Sequence, residues 1–361
     1  MAEVSTLPKS STGSKGRSNW LIRLRSWEYW PFFVVYFPIF LYWAWLSLRS
    51  RSFFFFTASN PGIEFGGMRG ESKIALYERV PKEVQPITLY LEPSAKEDEV
   101  LDKTSAAGIR FPLIVKPNIG ERGTLVEKID DAKALLRYHK AMHVPYLVQE
   151  YIDWTHELGL FYFRYPGEKK GQISSIVYKD LLSVTGDGEH TLAALIAKND
   201  RAKLQEAVMR QRFANRWEEV LPFGESLLLM PIGNHCRGTT FLNGNAWIDE
   251  QLTGVFDRLS DQIEGFYFGR FDLRCASIEA LREGRDFKIM ELNGAGAEPG
   301  HIYQPGYSLW QAWKDIIYHL DHLCSISIAN HKRGVRYYGF FESFRFMRQI
   351  RAYYRKMEGR A

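Results

Sequence analysis

Two short stretches, GRFDLRC (269–275) and KIMELN (288–293), place ionisable and amide side chains two residues apart. In an extended strand successive side chains point to opposite faces, so Arg270 and Asp272 share a face, as do Glu291 and Asn293. If the two strands pair, Asp272, Glu291 and Asn293 form one oxygen-rich patch beside a cation. Donors of this kind suit Mg²⁺ (or Mn²⁺), whose shell is usually completed by water and substrate phosphates. A lone carboxylate on a strand is more often merely solvated, so the patch has to be weighed with what accompanies it.

A second element carries phosphate chemistry. IVKPNIGERG (114–123) has Lys116 at a strand end, then Gly120 and Gly123 around Glu121 and Arg122. Glycine lets backbone N–H groups approach phosphates, and lysine supplies a point charge. The bland alternative is a hairpin with a surface lysine. Downstream, Gln149, Glu150 and Ile152 close another strand, and Glu157 follows Glu150 by seven residues. A carboxylate there could accept from ribose hydroxyls, while strand-end groups could pair with an adenine edge. Lys179 ends a further strand and offers a second phosphate contact. Neither GxGxxG nor GxxxxGK[ST] occurs. Cys236, Cys275 and Cys324 lie far apart without a CxxC, which argues against a disulfide framework or a cysteine-rich zinc site and fits a reducing compartment.

The 361 residues, 45% of them hydrophobic, can bury a large core. Strand patterns at 111–117, 146–152, 158–165, 173–184, 225–233, 266–277 and 286–293 are interspersed with helical ones at 130–142, 190–200, 201–213 and 308–323. The expectation is an α+β chain with mainly antiparallel sheets and no internal repeat.

The order of these features resembles the ATP-grasp superfamily of carboxylate–amine ligases, from about Lys73 to Gly306. FPLIVKP looks like the strand whose lysine contacts the α and β phosphates, and IGERG like the mobile glycine-rich loop. LVQEYIDWTHE looks like the adenine hinge and ribose carboxylate, RFD like the first metal strand, and MELN like the Glu-x-Asn metal signature. VTGDGEHTLAALIAKND (184–200) and GNHCRGTT (233–240) are similar to elements of the cyanophycin synthetase branch. The resemblance implies two α+β lobes clasping ATP. It implies Lys116, Gly120, Gly123, Gln149, Glu150, Ile152, Glu157 and Lys179 around the nucleotide, with Asp272, Glu291 and Asn293 on the metal. Arg270 and Lys179 would be catalytic, and Asn234, Arg237, Gly300 and His301 would face substrate. In D-alanine–D-alanine ligase-like members Pro-Gly follows the Glu-x-Asn closely. Here GAGAE intervenes before Pro299-Gly300, so the acceptor side is expected to be reshaped.

The ends of the chain point elsewhere. Residues 29–48 are twenty uncharged residues, rich in Trp, Tyr and Phe, with Arg23 and Arg25 before and Arg49 and Arg51 after. They read as an interfacial or re-entrant anchor, a single span, or a buried helix. The net charge is +5, but residues 332–361 hold nine Lys or Arg against two acids, leaving −2 for the rest. Tyr337, Phe340, Phe341, Phe344 and Met347 fall on one helical stripe there, as in a membrane-surface helix or one packed on the body. No nucleic-acid motif accompanies the charge.

The expected partition is a disordered basic tail (1–26), a membrane-associated segment (27–50), a short substrate-side region (51–110), an ATP-grasp domain (111–325) and a basic aromatic C-terminal helix (326–361). The glycine-rich stretch 60–73 is a candidate substrate loop. The function expected is an ATP-dependent ligase joining a carboxylate to an amine on the cytoplasmic face of a membrane, with small or lipid-linked substrates. Membrane lipids would be engaged by both termini, and a homodimer is left open. The rivals are a nucleotide-binding sensor of the same fold without ligase activity, and a kinase-like step ending on water or a hydroxyl.

Overall fold

The computed structural model describes residues 18–359, apart from 122, 232 and 234. Contacts divide the chain into two units, one of Met1–Pro31 with Leu181–Thr240, the other of Phe32–Asp180 with Phe241–Ala361. Residues 181–240 are thus an insertion within the larger unit's sequence.

In the larger unit, β1 (Thr88–Leu91), β2 (Leu113–Pro117), β3 (Glu127–Ile129) and β4 (Tyr146–Glu150) form an antiparallel sheet in the order β1-β4-β2-β3. Helices α4 (Glu97–Ala106) and α5 (Ala132–Ala141) share its core through Val100, Leu135 and Tyr138. A second sheet runs β11-β10-β5-β6-β9, from β5 (His156–Phe163), β6 (Gln172–Asp180), β9 (Thr240–Asn243), β10 (Phe268–Cys275) and β11 (Phe287–Asn293). Helices α9 (Glu250–Asp261) and α10 (Ile278–Arg282) close one face of it. Leu252, Val255, Phe256 and Leu259 make the apolar stripe of α9, and Asp249 caps it.

Strand period does the sorting. In β10, Phe271, Leu273 and Cys275 enter the core under α9, while Arg270, Asp272 and Arg274 face the other way. The other side of this unit is built from α2 (Phe32–Ser50), α11 (Leu309–Lys332) and α12 (Phe340–Met357) around Phe55, Phe56, Phe65 and Phe161. Helix α3 (Lys73–Tyr77) lies beside β11.

The smaller unit holds α1 (Asn19–Arg25), α6 (Leu192–Lys198), α7 (Asp200–Leu204) and α8 (Glu206–Arg212) with the hairpin pair β7 (Ser183–Thr185) and β8 (Ser226–Leu228). Its GDGEHT motif is a capping device. Asp187 accepts from the N–H groups of Glu189 and His190, which help hold its carboxyl at about 2, and Thr191 and Asn199 cap α6 and α7.

Several expectations are corrected. The tail is helical from Asn19, with Ser18 as its cap, so it is not disordered up to residue 26; residues 1–17 lie outside the described residues. The helix expected at 201–213 breaks at Gln205, whose backbone leaves the helical region. The strand expected at 173–184 stops at Asp180, and that at 225–233 covers only β8. Helix α11 runs on to Lys332, so residues 326–361 are the end of one helix, a loop and α12, not a single helix.

In the smaller unit Glu28 is nearly buried against Arg201 at 3.0 Å and the ring of His235. Burial raises its carboxyl pKa, but the His235 hydrogen bond and the Arg201 charge outweigh this and hold it below 4.5. A depressed carboxylate stabilises fully above its unfolded value and loses that contribution as pH falls through the folded one. Replacing Glu28 by Ala should cost about 3 kcal/mol within this unit and expose residues 19–31 to protease, measured by denaturant melts and limited proteolysis. The same loosening should appear in the native chain below pH 4.5.

Candidate active site

β10 and β11 pair with Asp272 opposite Glu291 and Arg270 opposite Asn293. The register then shifts, with Leu273 opposite Ile289, so Met290 is an extra residue on β11. This bulge changes which face follows. Phe287 and Ile289 point into the core, and without the bulge Glu291 would follow them. With it, Leu292 takes the core position, while Glu291 and Asn293 join the Asp272 face. The bulge also frees the Met290 carbonyl, which accepts from Lys116 Nζ at 3.0 Å and from the Tyr77 hydroxyl.

Asp272 is the hub. Its Oδ2 accepts from Arg270 at 2.9 Å and from the Asn293 amide at 2.9 Å, and its Oδ1 lies 2.9 Å from Lys179 Nζ. Oδ1 is buried with that ammonium as its charge partner. Burial raises the Asp272 pKa, yet Arg270 and Lys179 outweigh it and hold the carboxyl below its usual range. Lys179 also reaches Glu157 at 3.3 Å, and Glu157 pairs with Arg274 at 2.9 Å. Burial lowers the Lys179 pKa, but Asp272 and Glu157 more than restore it, so it stays a cation.

Gly159 sits opposite Asp272 across β5, and a Cβ there would lie 3.1 Å from Asp272 Oδ1 and 2.8 Å from Val177. The absence of a side chain lets Asp272 and Arg270 lie flat over the strand.

On the Glu291 side, Lys73 pairs with the carboxylate at 3.1 Å and donates to the Gly120 carbonyl at 2.7 Å, tying α3 to the glycine loop. Burial raises the Glu291 pKa, but Lys73 outweighs it and keeps the group ionised. Lys116 is buried with neutral partners, the Gln149 amide oxygen at 3.0 Å, the Tyr77 hydroxyl at 3.1 Å and the Met290 carbonyl. Burial pushes its ammonium down to about 7.

The metal and phosphate residues expected from the sequence therefore converge, while the others divide. Gln149 is fully buried, with its amide oxygen on Lys116 and its amide nitrogen donating to Thr88 at 2.7 Å, so it positions Lys116. Glu150 accepts from the Ile87 N–H, and the Ile152 carbonyl takes Arg274 at 2.7 Å. Gly123 has a left-handed φ of 70° in the loop. Gly300 packs against Val177, and buried His301 has its ring nitrogens 2.7 Å from Ser175 Oγ and 3.3 Å from Asp315, so neither serves as an open substrate group here. Arg237 lies in the His235–Arg237 turn of the smaller unit, and Asn234 lies outside the described residues.

Sequence reasoning missed Lys73 as a partner of Glu291, and also Tyr77, Gly159 and Arg274. Only Arg274 carried a signal, the continued alternation from Arg270 and Asp272. Among the described residues no group of three or more His, Cys, Asp and Glu could hold a metal. Oxygen donors from Asp272, Glu291 and Asn293 nonetheless fit Mg²⁺, which keeps waters and takes few protein ligands, with Lys179 beside Asp272 Oδ1 at 2.9 Å.

No family model and no curated protein sequence matches the chain. Several solved structures align with the chain at low identity. One is the D-alanine–D-alanine ligase from Bacillus anthracis, at 15% identity and a TM-score of 0.40, covering 76% of this chain and 72% of that one. Another is the D-alanine–D-alanine ligase from Coxiella burnetii, at 11% and 0.40, covering 81% and 64%. A third is the bifunctional glutathione synthetase from Pasteurella multocida, at 12% and 0.34, covering 68% of this chain and 36% of that one. The chain thus spans about a third of the synthetase's length. The chemistry of the site stands on its own residues.

Two outcomes follow from the geometry. Lys116 bears a burial penalty while charged, and the penalty is relieved as pH rises from about 7 toward the unfolded value of 10.5, so stability contributed by this group rises over that window. Lys116→Met should remove that slope in denaturant melts from pH 7 to about 9. Gly159→Ala should push Asp272 and Arg270 off the strand, costing about 1–3 kcal/mol in the same measurement.

Proposed function

We propose that this protein is an ATP-dependent ligase that joins a carboxylate to an amine through an acyl phosphate at a membrane surface. The observation that carries the proposal is the cross-strand pair of Asp272 and Glu291, ringed by Lys73, Lys116, Lys179 and Arg270. With Arg274 the site holds five basic side chains against the carboxylates of Asp272, Glu291 and Glu157, an excess suited to a triphosphate.

In this reading Lys116 and Lys179 take phosphate oxygens, Glu157 takes the ribose, and Arg270 faces the charge that builds as the γ-phosphoryl group passes to the substrate carboxylate. Asp272, Glu291 and Asn293 would hold Mg²⁺ or Mn²⁺, which supplies charge neutralisation on the phosphates. Lys179 and Arg270 already lie against Asp272, so the site needs little rearrangement of its own charges. An amine then attacks the acyl carbon, phosphate leaves, and an amide remains. No enzyme nucleophile is required, and Cys275 and Cys324 are buried, with thiols pushed up to about 12 and about 11 by burial.

The membrane part of the proposal is supported by the apolar helix α2 and by the basic, aromatic α12. It implies a cytoplasm-facing body and a substrate that is itself lipid-linked.

The test is capture of the acyl phosphate. Full-length protein with ATP, Mg²⁺, hydroxylamine and a panel of carboxylates should release ADP and a hydroxamate. Asp272→Ala and Glu291→Gln should each lower the rate by about a hundredfold or more. ATP binding with no ADP under any mixture would favour the sensor, and ADP formation without hydroxamate would favour a kinase-like step.

A further inference from the structure

The two faces of α2 have different fates. Val35, Ile39, Leu46 and Ser50 are buried, whereas Phe33, Phe37, Phe40, Leu41, Trp45 and Leu48 keep between 51% and 74% of their surface exposed. Those six share one helical face. The exposed surface continues past the helix. Phe53 is 62% exposed and stacks edge-on against Phe54, and Phe54 lies 6.5 Å from Phe340 at the start of α12. Phe341 and Phe344 follow it, 83% and 51% exposed. Arg51, Arg345 and Arg348 border this surface and are exposed themselves. An apolar surface this extensive marks an interaction site. Exposed aromatics edged by arginine match the apolar boundary and anionic headgroups of a phospholipid leaflet.

The packing also determines how α2 can meet that leaflet. Trp313 donates to the Val35 carbonyl at 2.7 Å, and Cys324 lies against the Leu46 carbonyl at 3.8 Å. Eleven residues separate each pair of contacts on its own helix, so α2 and α11 run side by side in the same direction for about 16 Å. A span by α2 would drag in α11, which carries Lys314, Asp315, Asp321 and three histidines, at several kcal/mol per buried charge. Both flanks of α2 are also held by polar parts of the chain. Before it, Glu28 is fixed by Arg201 and His235, which belong to the insertion 181–240. In its last turn, Arg49 pairs with Asp321 at 3.1 Å.

We propose that α2, Phe53 and the first turns of α12 form one monotopic face that lies in a single leaflet of an anionic bilayer, with both ends of α2 on the same side. This rests on the membrane reading above and assigns its topology. It also places the lipid surface next to the chemistry. Tyr36 on α2 donates to Glu298 at 2.5 Å, and the Glu298 carbonyl accepts from Arg270 at 3.2 Å. The segment that departs from the family pattern is thereby tied to the lipid-facing helix.

The test uses full-length protein added to preformed vesicles of phosphatidylglycerol with phosphatidylcholine, or of phosphatidylcholine alone. The protein should float with the anionic vesicles. Leu41→Glu and Phe341→Glu should each weaken flotation by about tenfold with unchanged melting temperature. In a Cys236→Ser background, Arg23→Cys and Glu64→Cys, at exposed positions on either side of α2, should both react fully with an impermeant maleimide without detergent. Protection of one of them until detergent is added would overturn the proposal in favour of a span. So would flotation indifferent to both glutamate variants, or a lipid-insensitive dimer cross-linked through a cysteine at position 41. None of these readouts requires ligase activity, so they stand or fall apart from the catalytic reading.

Discussion

One extra residue in β11 governs the site. A regular strand from Phe287 would carry Glu291 into the same apolar layer as Ile289. An unpaired carboxylate there would cost several kcal/mol. The bulge at Met290 turns the remainder of the strand over, so Leu292 fills the core and Glu291 stands across from Asp272. The same irregularity releases a carbonyl from the ladder, and that carbonyl anchors Lys116, a residue of the other sheet. A single local departure from period two thus sets one carboxylate across from another and anchors one buried lysine.

The charges around this point are arranged to survive burial. Asp272, Lys179, Glu157 and Arg274 form a chain of alternating sign, and Lys73 and Glu291 form a pair beside it. Asp272, Lys179 and Glu291 each keep their charge against the cost of leaving water because an opposite charge lies beside them. Lys116 has no carboxylate in direct contact, which is why burial lowers its pKa so far. A polyanion entering here would supply the partner that the protein withholds. Gln149, buried beneath, fixes where that ammonium stands.

Helix α2 belongs to the folded body as much as to its surroundings. It contributes Leu46 to the core and Tyr36 to the loop after Asn293, while its other face stays apolar and exposed. The loop after Asn293 and the outer surface are therefore both met by the same nineteen-residue element.

Much of the site was legible in the sequence, because alternation along a strand is a property of the backbone alone. That places Arg270 with Asp272 and Glu291 with Asn293, whatever the rest of the fold does. The capping pattern of GDGEHT was likewise readable as a motif, although its action is local and not catalytic. Tertiary structure decided the rest. Lys73 is far from Glu291 in sequence, Gly159 gains meaning only opposite Asp272, and Gln149 and His301 look like site residues until their polar atoms are seen to be engaged. The hydropathy of residues 29–48 could not distinguish a span from an interfacial or buried helix, because composition does not record which face is covered. Only packing on α11 does that, since the contacts from Val35 to Arg49 join positions nearly three hundred residues apart.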